Sequence, residues 1–244
     1  MPGRADETLA VVIPAYQAAA TITEVVSRSR RAAPGAIVYL VDDGSTDGTG
    51  ERGRGKGATV LTHPYNRGKG AALETGIAAA LRNGARVIVT LDGDGQHPPE
   101  EIPRLAAAVA SGEADLVLGA RARTGAMPWG RRCTNWLSAT LASRIGGVAV
   151  PDAQTGFRAL SRRIAETIRP GERRYDYETA FLLAALARGF AVRSEPIPTV
   201  YEGRPSHFRR WTDTWRLARV FARYGREILG GRGTRRGRGR GTNR

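Results

Sequence analysis

Short apolar runs alternate with stretches of helical periodicity over residues 8–125, and this alternation constrains the fold more than any other feature. Short continuous apolar runs indicate buried strands, whereas apolar residues recurring every three or four positions indicate helices. The predicted strands are Leu9–Pro14, Ile37–Val41, Ala58–Leu61, Arg86–Leu91 and Asp115–Leu118, and the predicted helices are Thr21–Ala32, Lys69–Asn83 and Pro99–Ser111. Strands that alternate with helices favour a mostly parallel sheet flanked by helices.

The pattern changes after residue 125, where helical stretches predominate. The predicted elements are helices at Arg131–Ile145, Glu178–Arg188 and residues 208–229, and an extended segment at Ala191–Val200. Because no repeat or linker separates the two halves, we expect a single domain over residues 1–230. Residues 8–125 would form its ligand-binding half and residues 126–230 its second half.

The chain is strongly basic, with a formal net charge of +15 and a sequence pI of about 11.2. Such a charge suggests an anionic partner, which includes nucleic acid, acidic lipid or a phosphorylated substrate. Residues 231–244 contain six arginines and no acid, and their Gly/Arg/Thr repetition predicts disorder. A solvated tail and a binding tail both fit this composition.

The predicted helix at residues 208–229 is amphipathic and basic. It carries Trp211 and Trp215, with arginines at the positions between its apolar residues. A basic helix with tryptophan is typical of a membrane interface, and packing on the domain explains the pattern equally well. No apolar run approaches the roughly 18 residues of a spanning helix, so we expect a soluble or peripheral protein. The single cysteine, Cys133, excludes an internal disulfide and a cysteine-rich zinc site.

Two acidic turns follow predicted strands. Asp92-Gly93-Asp94-Gly95-Gln96 follows one apolar run, and Asp42-Asp43-Gly44-Ser45-Thr46-Asp47 follows another. Ligands of open α/β sheets bind outside the carboxyl ends of the strands, so both turns can face one site. Carboxylate and amide oxygens suit Mg²⁺ or Mn²⁺, with water and substrate phosphates as further ligands. Taken alone, either motif is equally compatible with a simple turn, and His97 is interpreted as a turn residue.

Four motifs in the first half carry a family resemblance, and a fifth extends it into the second half. They are Val12–Tyr16, Val41–Thr49, Asn66–Ala72, Leu91–Pro98 and Gln154–Arg158. In order and spacing they resemble the family 2 glycosyltransferases of the GT-A fold, and in particular the dolichyl- or polyprenyl-phosphate sugar transferases. The resemblance covers roughly residues 8–125 and is looser at Pro205–Arg209, where relatives often have Ser-Lys.

The resemblance implies a site for a nucleotide-diphosphate sugar. Pro14 and Tyr16 would line the base pocket, and Asp43 would accept hydrogen bonds from the base or ribose. Asp94 and Gln96 would bind Mg²⁺ or Mn²⁺, which stabilises the departing diphosphate as a Lewis acid, and this makes Asp94 a catalytic residue. The other implied donor-side residues are Val41, Lys69, Asp92, Gly93 and Arg121.

The resemblance also implies an acceptor site, with polyprenyl phosphate as the favoured acceptor. Arg158, Ser206 and His207 would lie near the acceptor or its phosphate. Asp176 would be the general base if the acceptor were a hydroxyl, whereas a lipid phosphate needs little or no base. The alternative for Asp176 is a helix N-cap, and Glu178 is equally compatible with a helix-dipole interaction and a functional role.

The sequence therefore predicts an inverting, metal-dependent glycosyltransferase with a GT-A-like, Rossmann-type α/β fold and a C-terminal amphipathic helix. It would be cytoplasmic and peripheral on the inner face of the cell membrane, with an acidic membrane surface as partner. One alternative is transfer to a hydroxyl of a lipid or small molecule with Asp176 as base. A nucleic-acid-binding protein is a second alternative, motivated by charge, but the acidic turns would repel a nucleic acid backbone and no such partner is expected.

Overall fold

A seven-stranded mixed sheet forms the centre of the computed structural model, within the residues that it describes. These are residues 8–121, 139–140, 142–144, 147–172, 174, 176–198 and 223. The strands are β1 Leu9–Ala15, β2 Ile37–Asp42, β3 Thr59–Thr62, β4 Val87–Thr90, β5 Leu116–Arg121, β6 Arg158–Ser161 and β7 Val192–Ile197. The helices are α1 Ile22–Ala32, α2 Thr49–Arg54, α3 Lys69–Arg82, α4 Ile102–Ala110, α5 Arg162–Thr167 and α6 Tyr177–Ala187, and a 3-10 turn at Pro99–Glu101 precedes α4.

These elements confirm the predicted alternation over residues 8–125, with shifted ends. The sequence did not predict α2, β6 or α5. Residues 139–140 and 142–144 are helical, in agreement with part of the predicted helix at Arg131–Ile145. Most of the predicted C-terminal helix lies outside the described residues. Within it, Arg223 is helical, and its guanidinium lies 3.6 Å from the Glu172 carboxylate.

The strand order is β3-β2-β1-β4-β6-β5-β7, and β6 alone among these strands runs antiparallel to its neighbours. Its first residue, Arg158, pairs with Thr90 at the end of β4. The start of β6 therefore lies at the same edge of the sheet as the carboxyl ends of β1, β2, β4 and β5. We call this edge the carboxyl edge.

Apolar side chains fill both faces of the sheet. Alternate residues of β1 point to opposite faces, as the two-residue period of a strand requires. Val12 packs in the cluster that contains α3 and α6, whereas Val11 and Ile13 pack in the cluster that contains α1 and α4. Residues Tyr177–Ala185 of α6 are all buried, which is typical of a helix that is enclosed on every side.

Asp115 connects several elements by hydrogen bonds at the edge of the sheet opposite the carboxyl edge. Its carboxylate accepts hydrogen bonds from the Ser161 hydroxyl at 3.0 Å, the Ala191 amide at 3.1 Å and the Arg163 guanidinium. Burial favours the neutral acid, but the hydrogen bonds from Arg163 and Ala191 outweigh it and lower the pKa of Asp115. One side chain thus joins the start of β5, the end of β6 and the approach to β7.

Candidate active site

The acidic loop at residues 92–97 leaves β4 at the carboxyl edge and packs tightly against the end of β1. A Cβ atom on Gly93 would lie 3.3 Å from both the Ala15 Cβ and the Pro14 carbonyl oxygen. The Thr21 hydroxyl, just before α1, donates to the Gly93 carbonyl at 2.6 Å. Glycine therefore allows the close approach that holds the loop, and the predicted positions of Pro14 and Gly93 at this edge agree with the structure.

Lys69 lies between two carboxylates instead of facing solvent. Its ammonium is 2.6 Å from Asp92 Oδ1 and 2.5 Å from Glu178 Oε1. Burial disfavours the charged lysine, but Asp92 and Glu178 outweigh it and raise the Lys69 pKa. Burial likewise favours neutral Asp92, yet Lys69 and His97 lower the Asp92 pKa. The Lys69 ammonium therefore neutralises Asp92 and Glu178, and its implied donor-side role stays a prediction.

Gly156 and His97 enclose the Asp92 carboxylate. A Cβ atom on Gly156 would lie 2.5 Å from Asp92 Oδ1, and the Gly156 carbonyl accepts a hydrogen bond from the Thr90 hydroxyl at 2.8 Å. The His97 ring is buried, packs against Phe157 with centroids 5.5 Å apart, and places Nε2 3.7 Å from Asp92 Oδ2. His97 is therefore part of the wall behind the acidic loop.

Asp94 is the exposed carboxylate of the loop. Its Oδ1 accepts a hydrogen bond from the Gln96 amide at 3.0 Å, in a turn where Gly95 has φ +79°. Partial desolvation and the nearby Asp92 charge raise the Asp94 pKa. Among the described residues no donor is assigned to its second oxygen, and no group of three or more His, Cys, Asp or Glu forms a metal site. The set suits a hard cation that takes most of its ligands from diphosphate and water.

The side chains of Asp43 and Val41 both make contacts within the protein. The Asp43 side chain is buried and accepts hydrogen bonds from His63 and from the Arg67 and Gly68 amides. Its oxygens therefore bind protein donors, and the hydrogen bond from the base or ribose stays a prediction. Val41 is fully buried, with its side chain against α3, so that side chain packs in the core, and the implied donor-side role of Val41 stays a prediction.

Tyr16 lies where the sequence predicts it, directly after β1, with 44% of its surface exposed. The next residue, Gln17, has φ +52°, which is the one positive φ among the described non-glycine residues. Its amide donates to Ser45 Oγ at 3.0 Å, and its side chain exchanges two hydrogen bonds with Thr46. These hydrogen bonds hold Gln17 in a strained conformation. They also fix Tyr16 and Gln17, which we call the Tyr16 loop, to the turn that follows β2.

Both arginines that were predicted to lie near phosphate form hydrogen bonds to other groups of the protein. Arg121 forms a bidentate ion pair with buried Asp152, with Nε 2.7 Å from Oδ2 and Nη2 3.3 Å from Oδ1, and this pair lowers the Asp152 pKa against the effect of burial. Arg158 is buried, and its guanidinium donates to the Thr155, Glu178 and Ala153 carbonyls. Burial lowers the Arg158 pKa. The phosphate-binding roles of Arg121 and Arg158 stay predictions.

Asp176 precedes α6 and is half-buried, but its side chain makes no capping hydrogen bond. Asp176 occupies the N-cap position, and its carbonyl accepts the Ala180 amide at 2.9 Å. Its buried Oδ1 has no hydrogen-bond partner among the described residues, and the base interpretation stays a prediction. Ser206 and His207 lie outside the described residues.

Sequence reasoning missed Gly156 and His63, and left Glu178 undecided. The Gln154–Arg158 motif was the available signal for Gly156.

This fold, with an oxygen-rich acidic loop at the carboxyl edge, defines an α/β enzyme suited to a phosphorylated nucleotide beside a divalent cation. The chain belongs to glycosyl transferase family 2, whose model matches residues 10–169, and it is therefore a glycosyltransferase. The polyprenol monophosphomannose synthase of Mycolicibacterium smegmatis is 33% identical over 200 residues, which cover 77% of this chain and 75% of that protein. The dolichyl-phosphate hexose transferase of Haloferax volcanii is 34% identical over 194 residues, covering 79% and 82%.

Solved structures support the GT-A-like fold. Glucosyl-3-phosphoglycerate synthase from Mycobacterium tuberculosis, crystallised with Mn²⁺, UDP and phosphoglyceric acid, superposes with a TM-score of 0.73 at 22% identity. The match covers 91% of this chain and 79% of that one. None of the helices in the described part of the chain is both long and apolar enough to cross a bilayer.

Proposed function

We propose that this glycosyltransferase moves a sugar from a nucleoside diphosphate to the phosphate of a polyprenyl phosphate. The observation that carries the proposal is the acidic loop, in which Asp94 is exposed at the carboxyl edge while Asp92 is fixed by Lys69. The named relatives act on polyprenol and dolichyl phosphate, which favours this acceptor class. The donor diphosphate and the Asp94 carboxylate are both negatively charged. A cation at this loop would offset both charges and so allow the diphosphate to bind there.

Asp94 and Gln96 would hold this cation, Mg²⁺ or Mn²⁺, at the donor diphosphate. When bound, it supplies Lewis-acid stabilisation of the charge on the leaving group. Asp92, fixed by Lys69 and Gly156, keeps the loop in place, and Tyr16 offers an exposed aromatic ring to the base. A phosphate oxygen of the acceptor forms the new bond to the anomeric carbon as the bond to the diphosphate breaks. The bonding electron pair leaves with the nucleoside diphosphate and the configuration inverts.

No general base is required in this step, because the acceptor phosphate is already an anion at neutral pH. The second candidate is transfer to a hydroxyl, which the unpartnered Oδ1 of Asp176 favours. Asp176→Asn separates the two. We expect it to retain transfer to polyprenyl phosphate, whereas a base role predicts a loss of about 10²–10⁴-fold on a hydroxyl acceptor.

Asp94→Asn tests the catalytic assignment. We expect it to abolish transfer from a panel of nucleotide sugars, measured at several Mg²⁺ and Mn²⁺ concentrations, while the circular dichroism spectrum is unchanged. Glu51→Gln, which alters an exposed carboxylate on α2, is the matched control and should keep full activity. Near-normal activity of Asp94→Asn at saturating metal would show that Asp94 is not a ligand.

We further propose that the enzyme works at the cytoplasmic face of the membrane as a peripheral protein, where its basic tail contacts acidic lipid. Each arginine held near such a surface contributes up to about 1 kcal/mol. Deletion of residues 231–244 should therefore weaken sedimentation with phosphatidylserine vesicles and leave binding to neutral vesicles unchanged. Equal binding of both proteins to acidic vesicles would remove this role from the tail.

A further inference from the structure

A buried pair, Asp43 and His63, organises the loop after β3. His63 Nδ1 lies 2.6 Å from Asp43 Oδ1, and both side chains are almost fully buried. The same carboxylate accepts the Arg67 amide at 2.9 Å and the Gly68 amide at 2.8 Å. We call residues 63–68 the His63 loop. Asp43 therefore binds both ends of this loop, and an ionised carboxylate requires a proton on His63 Nδ1.

Helix α3 holds the other side of the His63 ring. Nε2 lies 3.0 Å from the Thr75 hydroxyl, which in turn lies 3.0 Å from the Ala71 carbonyl. The His63 amide also donates to the Asp42 carbonyl at 2.9 Å. The ring is therefore fixed between β2 and α3, and through it the orientation of Asp43 is fixed as well.

The His63 loop rests directly on the turn after β2. A Cβ atom on Gly44, which has φ +76°, would lie 2.6 Å from the Tyr65 carbonyl carbon. The Tyr65 side chain is 67% exposed. The same turn receives the Tyr16 loop through the hydrogen bonds of Gln17 to Ser45 and Thr46. Two loops that each expose a tyrosine are thus fixed to one turn at the carboxyl edge.

We propose that His63 is a positioning residue for the donor, which holds Asp43 so that the His63 loop presents Tyr65 as a second aromatic wall of the nucleobase pocket beside Tyr16. This inference rests on the proposed use of a nucleotide donor. Every base has a π-face, so an exposed tyrosine can stack on it without hydrogen-bond recognition. Base stacking then depends on the order of the loop, and the order of the loop depends on the hydrogen bond from His63.

Two substitutions at His63 separate positioning from simple packing. The amide of His63→Asn branches at the same point as Nδ1 and can still donate to Asp43, whereas His63→Leu cannot donate. We expect His63→Leu to speed hydrogen exchange at the Arg67 and Gly68 amides at least tenfold, and His63→Asn to stay within about threefold of the parent. Equal acceleration in both variants, or none in His63→Leu, would overturn the positioning role.

Nucleotide affinity provides the second readout, measured by calorimetry with UDP and with GDP in the presence of Mn²⁺. We expect His63→Leu and Tyr65→Ala each to weaken binding about tenfold, and Tyr65→Ala to leave the melting temperature and the exchange rates unchanged. In transfer assays the KM for the donor should rise while kcat stays within about twofold. Parent-like affinity of Tyr65→Ala would overturn the aromatic wall. A parent protein that binds neither nucleotide would instead count against the proposed function, and the exchange experiment would still decide the role of His63.

Discussion

Gly156→Ala should disturb the acidic loop by adding a single methyl group. Gly156 is buried and its φ is not in the left-handed region, so the backbone accepts alanine without strain. The new Cβ would lie 2.5 Å from Asp92 Oδ1 and 2.7 Å from Oδ2. Asp92 must therefore retreat by about half an ångström before the contact reaches 3.0 Å. Because Asp92 Oδ1 is also 2.6 Å from the Lys69 ammonium, this movement strains a half-buried ion pair.

Overpacking of this kind costs about 1–3 kcal/mol. For a chain of 244 residues, each 1 kcal/mol lowers the melting temperature by about 2–4 °C, so a fall of about 2–12 °C is expected. Nucleotide binding in the presence of Mn²⁺ should weaken as well, because Asp94 follows Asp92 in the same loop. The two measurements are differential scanning calorimetry and titration calorimetry.

Gly35→Ala is the matched control. A Cβ atom on Gly35 would have no heavy atom within 4 Å, and Gly35 has no positive φ, so the same substitution there should change stability by no more than about 0.5 kcal/mol. If Gly156→Ala matched Gly35→Ala in both melting temperature and nucleotide affinity, the contact between Gly156 and Asp92 would not be what fixes the loop.

Three other perturbations test separate parts of the structure. Asp115→Asn should cost about 1–2 kcal/mol at pH 7. Because the folded pKa of Asp115 is lowered, its contribution is present above its unfolded pKa of about 4 and is lost as pH falls through the folded value, so urea unfolding of both proteins should converge towards pH 3. Gln17→Gly should be roughly 1 kcal/mol more stable than Gln17→Ala, since both lose the side chain but only glycine relieves φ +52°; equal unfolding free energies would contradict the strain. Lys69→Met should cost about 3–5 kcal/mol in urea unfolding by leaving Asp92 and Glu178 without their shared cation, and adding Glu178→Gln should recover part of this loss.

The alternation of strands and helices was predictable because it depends on local burial periodicity. The position of the acidic loop was predictable for the same reason, since it follows β4 directly. Strand β6 was not, because Arg158–Ser161 is short, is not apolar throughout, and is defined by pairing with distant strands. Helix α2 was missed because two of its buried positions are Gly50 and Gly53. Glycine fits there because it has no side chain, and the helix therefore shows no periodic pattern of apolar residues.

The roles of individual charges were the least predictable part of the site. Arg158 is interpreted from sequence as a phosphate ligand, yet three backbone carbonyls satisfy its guanidinium in the interior. Lys69 pairs with Asp92, on the loop after β4, and with Glu178, on α6. Both carboxylates are distant from Lys69 in the sequence. Asp43 was correctly placed at the end of β2, but backbone amides of a neighbouring loop take up its oxygens. A sequence shows which charges exist, and only the fold decides which of them face a ligand.

The antiparallel direction of β6 has a consequence for recombining this enzyme with its relatives. Because the chain enters β6 at the carboxyl edge, Gly156 lies beside Asp92 although it belongs to the second half of the chain, residues 126–230. A chimera joined near residue 125 would split these two contacting residues between parents. A junction after Ser161 would keep them in one parent, so acceptor preference should be exchanged most safely from that point onward.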